Sequence, residues 1–206
     1  MKINRMFSDH IISHQVLLSL LEGYKRPNDK ISEMMKQGEL ISLKKGYYIF
    51  NQEIKPERFS IANALYGPSY ISMESAFSFY GMIPEQVFSI SSATLKATKI
   101  FENKIGRFEY INLSPSYYAL EIQFLELREG QFCLIATPEK ALCDKVVTEK
   151  KLQLRSVKSA QEYLIENLRI DEYLLREIKI NKLEKILSLA PKKNTLEQII
   201  AAIKTI

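Results

Sequence analysis

The residues able to carry chemistry are few and scattered. His10 and His14 stand four apart, a spacing that sets two ligands on one helix face, but the neighbouring sequence does not complete the three or four ligands a metal needs. Cys133 and Cys143 are too few for a disulfide framework and read as small apolar residues of a reducing compartment. Glu109, Glu121 and Glu126 fall on or near β-type runs, where carboxylates followed by a helix can hold a divalent ion for phosphodiester hydrolysis. Glu121-Ile122-Gln123 faintly follows the E-x-Q form of a nuclease metal motif, yet the supporting Asp upstream is missing. Solvated strand-face carboxylates are therefore the expectation. No Walker-type or dinucleotide glycine pattern occurs, and seven glycines leave little material for a phosphate cradle. No catalytic residue, metal or cofactor is expected.

Cations are a different matter, because they bunch. Residues 1–58 carry ten Lys and Arg against seven Asp and Glu, residues 59–148 seven against nine, and residues 149–206 twelve against eight. The formal charge of +5 is thus the sum of two basic ends and an acidic middle. In the first part Lys25, Arg26, Lys30, Lys36, Lys44 and Lys45 oppose only Asp29, Glu33 and Glu39.

The elements that must position this cluster can be read from period and punctuation. Val16, Leu17, Leu20 and Leu21 form one apolar helical stripe with Ser13 as N-cap and Gly23 as stop. A second helix is expected from Asn28 as cap, with Ile31, Met34 and Met35 inward, Lys30, Ser32, Glu33, Lys36 and Gln37 outward, and Gly38 at its C-cap. Leu40–Leu43 and Tyr47–Phe50 are β-type runs joined by Lys44-Lys45-Gly46, a hairpin with a basic tip. Helix, turn, helix and basic hairpin is the order of a winged helix, and a short helix within Lys2–Ile12 would complete its set of three. A helix with short polar and basic side chains suits the major groove of duplex DNA, and lysines on the wing suit phosphates. Lys25, Arg26, Lys30, Lys36, Lys44 and Lys45 are the expected phosphate contacts, Asn28, Ser32, Glu33 and Gln37 the expected readers of base edges, and Tyr47 completes the contact set on the wing.

With 206 residues and 46% hydrophobic content, the chain has material for one large or two small cores. No apolar run approaches the roughly 18 residues of a membrane span, so a cytoplasmic protein without membrane contact is expected. The polar stretch 51–58, with Pro56, marks a boundary between domains at 1–58 and 59–206. Beyond it the pattern predicts a turn at Gly67-Pro68, a helix capped by Ser72 with Ala76, Phe77 and Tyr80 on one face, and closure at Gly81. Strands are expected at Val87–Ser91, Lys99–Phe101, Phe108–Leu113, Ile122–Leu127 and Gln131–Ala136. Thr137-Pro138-Glu139 marks the start of a helix with Ala141, Leu142, Cys143 and Val146 inward. A helical tail over about 151–206 should contain helices at Val157–Leu168, Asp171–Ile178, Leu183–Leu189 and Thr195–Ile206. Tyr66, Tyr70, Phe77, Phe79, Tyr80, Tyr117 and Tyr118 read as core and interface packing before a base-stacking surface. The fold class is α+β: a winged helix-turn-helix, then a mixed α/β domain with the helical tail.

The segments GELISLKKGYYIF, YGPSYISMESAFSFYGMIPE and IATPEKALCDKVV, in this order, resemble the AbiEi antitoxins of bacterial type IV toxin–antitoxin systems over roughly residues 13 to 150. That resemblance implies a non-enzymatic transcriptional autorepressor whose N-terminal winged helix binds inverted repeats in double-stranded DNA of its own promoter. It also implies a C-terminal domain that counteracts a cognate nucleotidyltransferase-like toxin, in phage abortive infection or plasmid maintenance. DNA contact then falls on Asn28–Gln37 and on Lys44-Lys45-Gly46, while the Ser72–Gly81 helix and the Thr137–Asp144 segment match the C-terminal hallmarks. The alternatives are a DNA-binding protein with a nuclease-like C-terminal domain and a plain regulator sensing a ligand or partner.

Overall fold

Capping residues, prolines and glycines set the element boundaries in the computed structural model, which describes residues 9–206. Strand β1 (Ile12–Ser13) runs into α1 (His14–Leu20), and Ser13 caps that helix by accepting the Val16 N–H. The inner line of α1 is Leu17 and, at its C-cap, Leu21. Val16, expected on that stripe, is 46% exposed, since so short a helix buries only the i, i+4 pair. Helix α2 spans Pro27–Lys36. Asn28 is not its cap: Pro27 occupies the first helical position, where its fixed φ and missing N–H fit, so Asn28 falls in the first turn. At the other end Gly38 takes φ +75°, and the Gly38 and Glu39 N–H groups donate to the Met35 and Met34 carbonyls, a Schellman closure. The short helix expected within Lys2–Ile12 falls, up to position 8, on residues outside the described ones.

β2 (Leu40–Lys44) and β3 (Tyr47–Phe50) form the expected hairpin, and β1 pairs with β3, giving an antiparallel sheet in the order β1-β3-β2. Strand alternation divides the hairpin between two cores. Leu40, Tyr48 and Phe50 pack with Leu17, Leu21, Ile31 and Met34, whereas Ile41, Leu43 and Ile49 join the large core built by the rest of the chain. Packing therefore runs across the polar stretch 51–58.

The second sheet has six strands, β4 (Ser69–Ile71), β5 (Ser89–Thr94), β6 (Lys99–Asn103), β7 (Gly106–Asn112), β8 (Ile122–Arg128) and β9 (Gln131–Ala136), in the order β6-β7-β5-β4-β9-β8. It is mixed: β5 lies parallel to β7 and β4 parallel to β9, with the other pairs antiparallel. β5 lies downstream of the expected Val87–Ser91 because its buried centre is Ser91, Ser92 and Ala93, small residues that an apolar-run criterion passes over. Helices α3 (Arg58–Leu65), α4 (Met73–Phe79), α5 (Pro115–Tyr118) and α6 (Pro138–Thr148) accompany this sheet. Of these α3 and α5, together with β4, have no counterpart in the sequence pattern.

The tail comprises α7 (Val157–Glu162), continued by a π-helical turn at Tyr163–Asn167, then α8 (Glu172–Arg176), α9 (Ile180–Leu189) and α10 (Lys193–Ile203). Leu196, Ile199, Ile200 and Ile203 of α10 are buried, as their spacing requires. The chain is thus a mixed α+β protein with ten helices and two sheets among the described residues. None of those helices is long and apolar enough to cross a membrane.

Candidate nucleic-acid interface

The outer face of α2 carries part of the expected contact set. Asn28, Ser32, Glu33, Lys36 and Gln37 are exposed, and Ile31 and Met34 hold the opposite face in the small core. Part of this surface is already paired. Arg26 Nε lies 2.7 Å from Asp29 Oδ2, and Lys30 Nζ lies 3.0 Å from Glu33 Oε2. Gln37 Nε2 donates to Glu33 Oε1 at 3.0 Å, and the Lys30 and Gln37 bonds together hold the Glu33 carboxyl below its ordinary value, Lys30 contributing most. The acid that sequence alone sets against DNA is thereby matched within its own helix. Ser32 Oγ donates to the Asn28 carbonyl at 3.0 Å, leaving the hydroxyl oxygen as an acceptor.

Lys25, Lys36 and Lys45 are exposed and make no ion pair among the described residues. Lys45 is at the hairpin tip with Gly46, whose φ of +82° is one that glycine adopts readily and whose carbonyl accepts the His14 N–H at 2.8 Å. The tip is thus pinned to the start of α1.

Lys44 behaves otherwise. Its ammonium donates to the Leu65 carbonyl at the end of α3 and lies 4.2 Å from the centre of the half-buried Tyr47 ring. Burial, and then the neighbouring charges of Lys96 and Lys99, press its pKa below the ordinary lysine value. Lys44 is a strut between the hairpin and the large core, helped by Asn103 Nδ2, which donates to the Leu43 carbonyl at 2.9 Å. Sequence reasoning passed over Lys96 and Lys99, which the turn after β5 brings over the rings of Tyr66 and Phe101 beside Lys44. The signal was there in LKATK, two lysines next to a strand end, but its neighbour in space is distant in sequence.

The carboxylates weighed for metal chemistry are not brought together. β7, which carries Glu109, and β8, which carries Glu126, lie four strands apart in the sheet order. Glu109 pairs with Arg107 at 2.7 Å, Glu126 accepts the Gly130 N–H at 3.1 Å, and Glu121 pairs with Lys185 at 2.7 Å and Lys182 at 3.3 Å. Among the described residues no group of three His, Cys, Asp or Glu is arranged to hold a metal. The aromatic set is mostly interior: Tyr70, Phe77, Tyr117 and Tyr118 are buried, and of the seven only Phe79 is largely exposed.

The Tyr70–Ser72 stretch and the Thr137–Asp144 segment meet in a buried ionic cluster. Thr137 caps α6 by accepting the Lys140 N–H at 3.3 Å, as its position implies. Ser72 stands at the N-cap position of α4, as expected, but its side chain accepts no N–H there. Its hydroxyl donates instead to Asp144 Oδ2 at 2.7 Å, where Tyr70 Oη also donates at 2.9 Å. Asp144 Oδ1 lies 2.8 Å from Lys140 Nζ, and both side chains are 0% exposed. Lys140 Nζ also donates to the Tyr117 carbonyl at 3.0 Å. Desolvation lowers the Lys140 pKa, against the opposing pull of Asp144, and raises those of Tyr70 and Tyr117. A cluster so enclosed touches no solute. It ties α6 to β4, α4 and α5, and its sequence signal was the i, i+4 Lys140–Asp144 pair set among the inward Ala141, Leu142 and Cys143.

The chain matches no protein-family model and no curated protein.

Proposed function

We propose that this protein binds duplex DNA through the outer face of α2 and the tip of the β2–β3 hairpin, and that it is a non-enzymatic antitoxin that represses its own operon. The observation that carries the DNA-binding part is the exposure of three cations that make no ion pair among the described residues, Lys25 in the turn before α2, Lys36 at the end of α2 and Lys45 at the hairpin tip, in the segment that also carries the polar Asn28, Ser32 and Gln37. Strand, helix, helix, strand, strand, with the first strand against the last, is the order of a winged helix from its first strand onward, which favours this reading. The helix would enter the major groove, where Asn28 and Gln37 suit adenine edges, and the free lysines would neutralise phosphates on either side. Lys44, a strut, would hold the wing at its angle. The antitoxin part rests on the resemblance to AbiEi antitoxins, and its counterpart would be a nucleotidyltransferase-like toxin encoded alongside.

A gel-shift titration against the DNA upstream of the protein's own gene tests the first part. The parent should shift that duplex at far lower concentration than a scrambled one, and Lys36→Ala/Lys45→Ala should abolish the difference from background at physiological salt. Equal binding by parent and variant would sink the assignment. Co-expression with the adjacent toxin tests the second part: the same variant, still folded, should protect cells as well as the parent does.

A further inference from the structure

A cavity of about 610 Å³ lies between the loop 151–155 and the first turn of α10, within the size range of small-ligand clefts. Every charged residue lining it is a cation: Lys151, Arg155, Lys192 and Lys193. Lys192 is committed to the protein, since its ammonium donates to the carbonyls of Val146, at 3.1 Å, and Glu149. These carbonyls end α6 and lead into the loop, so Lys192 ties the two walls of the cavity together and fixes their separation. Lys151, Arg155 and Lys193 are exposed and make no ion pair among the described residues; the one hydrogen bond of Arg155 goes to the neutral Gln153 at 3.4 Å. Three like charges around one hollow, without a carboxylate in its lining, repel one another and favour an anion between them. Asn194 and Thr195 of the first turn of α10 share the lining and add polar side chains to the cationic wall.

We infer that this cavity is a binding site for a small oligophosphate anion, recognised through its phosphates. No aromatic ring lines the cavity, so a nucleobase would find no stacking partner there, and a diphosphate group is the chemistry the lining matches. The site is distinct from the α2 face and does not depend on DNA binding.

Calorimetric titration of the full chain with inorganic pyrophosphate, at fixed ionic strength, tests it. Saturable binding with one site per chain is expected, weakened about threefold by each of Lys151→Ala, Arg155→Ala and Lys193→Ala and roughly thirtyfold by all three, as partly exposed ion pairs contribute. The thermal transition of the unliganded triple variant should match the parent, because all three side chains are exposed. Absence of saturable binding, or equal binding by the triple variant, would overturn the site. So would a triple variant that loses affinity for duplex DNA while the parent ignores pyrophosphate, an outcome that assigns these cations to a DNA footprint.

Discussion

Helices α2 and α6 have nearly the same length, 10 and 11 residues, and each contains an internal Lys–carboxylate pair, Lys30–Glu33 in one and Lys140–Asp144 in the other. Glu33 is half exposed, whereas both members of the α6 pair are at 0%. Ion pairs in water contribute about 0–1 kcal/mol, because solvent competes for both charges. In a buried pair, removing one partner strands the other in a medium that cannot solvate it, at about 3–5 kcal/mol. Chemically similar pairs thus serve opposite ends. In α2 the charges are loosely held and can be exchanged for contacts with another molecule; in α6 they are locked and fix how β4, α4 and α5 meet one helix.

The contrast breaks first at α6. Asp144→Ala should lower unfolding stability by about 3–5 kcal/mol in a urea titration, since Lys140 is left charged and unpaired. Replacing both partners, Lys140→Met/Asp144→Leu, should recover part of that loss, the remainder reflecting the Tyr70 and Ser72 hydroxyls that lose their buried acceptor; a double variant less stable than the single would contradict the pairing account. Next comes the strut. Lys44→Ala leaves the Leu65 carbonyl without its donor and should cost about 1–3 kcal/mol, whereas Lys45→Ala at the neighbouring position should leave the denaturation midpoint where it was.

A smaller effect is expected from Glu121, whose carboxyl is held below its ordinary value of 4.5 chiefly by the hydrogen bond from Lys185, with Lys182 adding to it. A carboxyl depressed on folding contributes stability above its unfolded pKa and loses it as pH falls through its folded one. Glu121→Gln should therefore flatten the fall in stability below about pH 4.5, by about 1 kcal/mol or less given the exposure of Lys185. An unchanged acid limb in the stability profile would show that this carboxylate is not held by the tail. Smallest of all, Lys25→Ala, Lys36→Ala and Lys45→Ala should each shift stability by no more than about 0.5 kcal/mol.

Most of the described N-terminal elements were legible in the sequence because period and punctuation agree there: Ser13, Gly38 and Gly46 end or start what the apolar spacing proposes. The α6 boundary was legible for the same reason, with Thr137 as cap and Pro138 after it. What stayed hidden depends on tertiary contact. Strand β4 is three residues long, and β5 is built on buried serines whose burial only the overlying layers reveal. Ser72 looks like a cap by type and position, yet a buried carboxylate from a helix 72 residues onward takes its hydroxyl. Lys44 and Lys45 are indistinguishable in a string of letters; strand alternation and the Leu65 carbonyl separate them.

The central claim is that Lys25, Lys36 and Lys45, exposed and without an ion pair among the described residues, contact phosphates. The most direct measurement is the salt dependence of duplex binding by the full chain and by Lys25→Ala/Lys36→Ala/Lys45→Ala. Removing one cation that neutralises a phosphate should reduce the slope of log affinity against log salt by about 0.9, so a reduction of roughly 2 to 3 is predicted for the triple variant, with the fold intact. Identical slopes and affinities for parent and variant would contradict it.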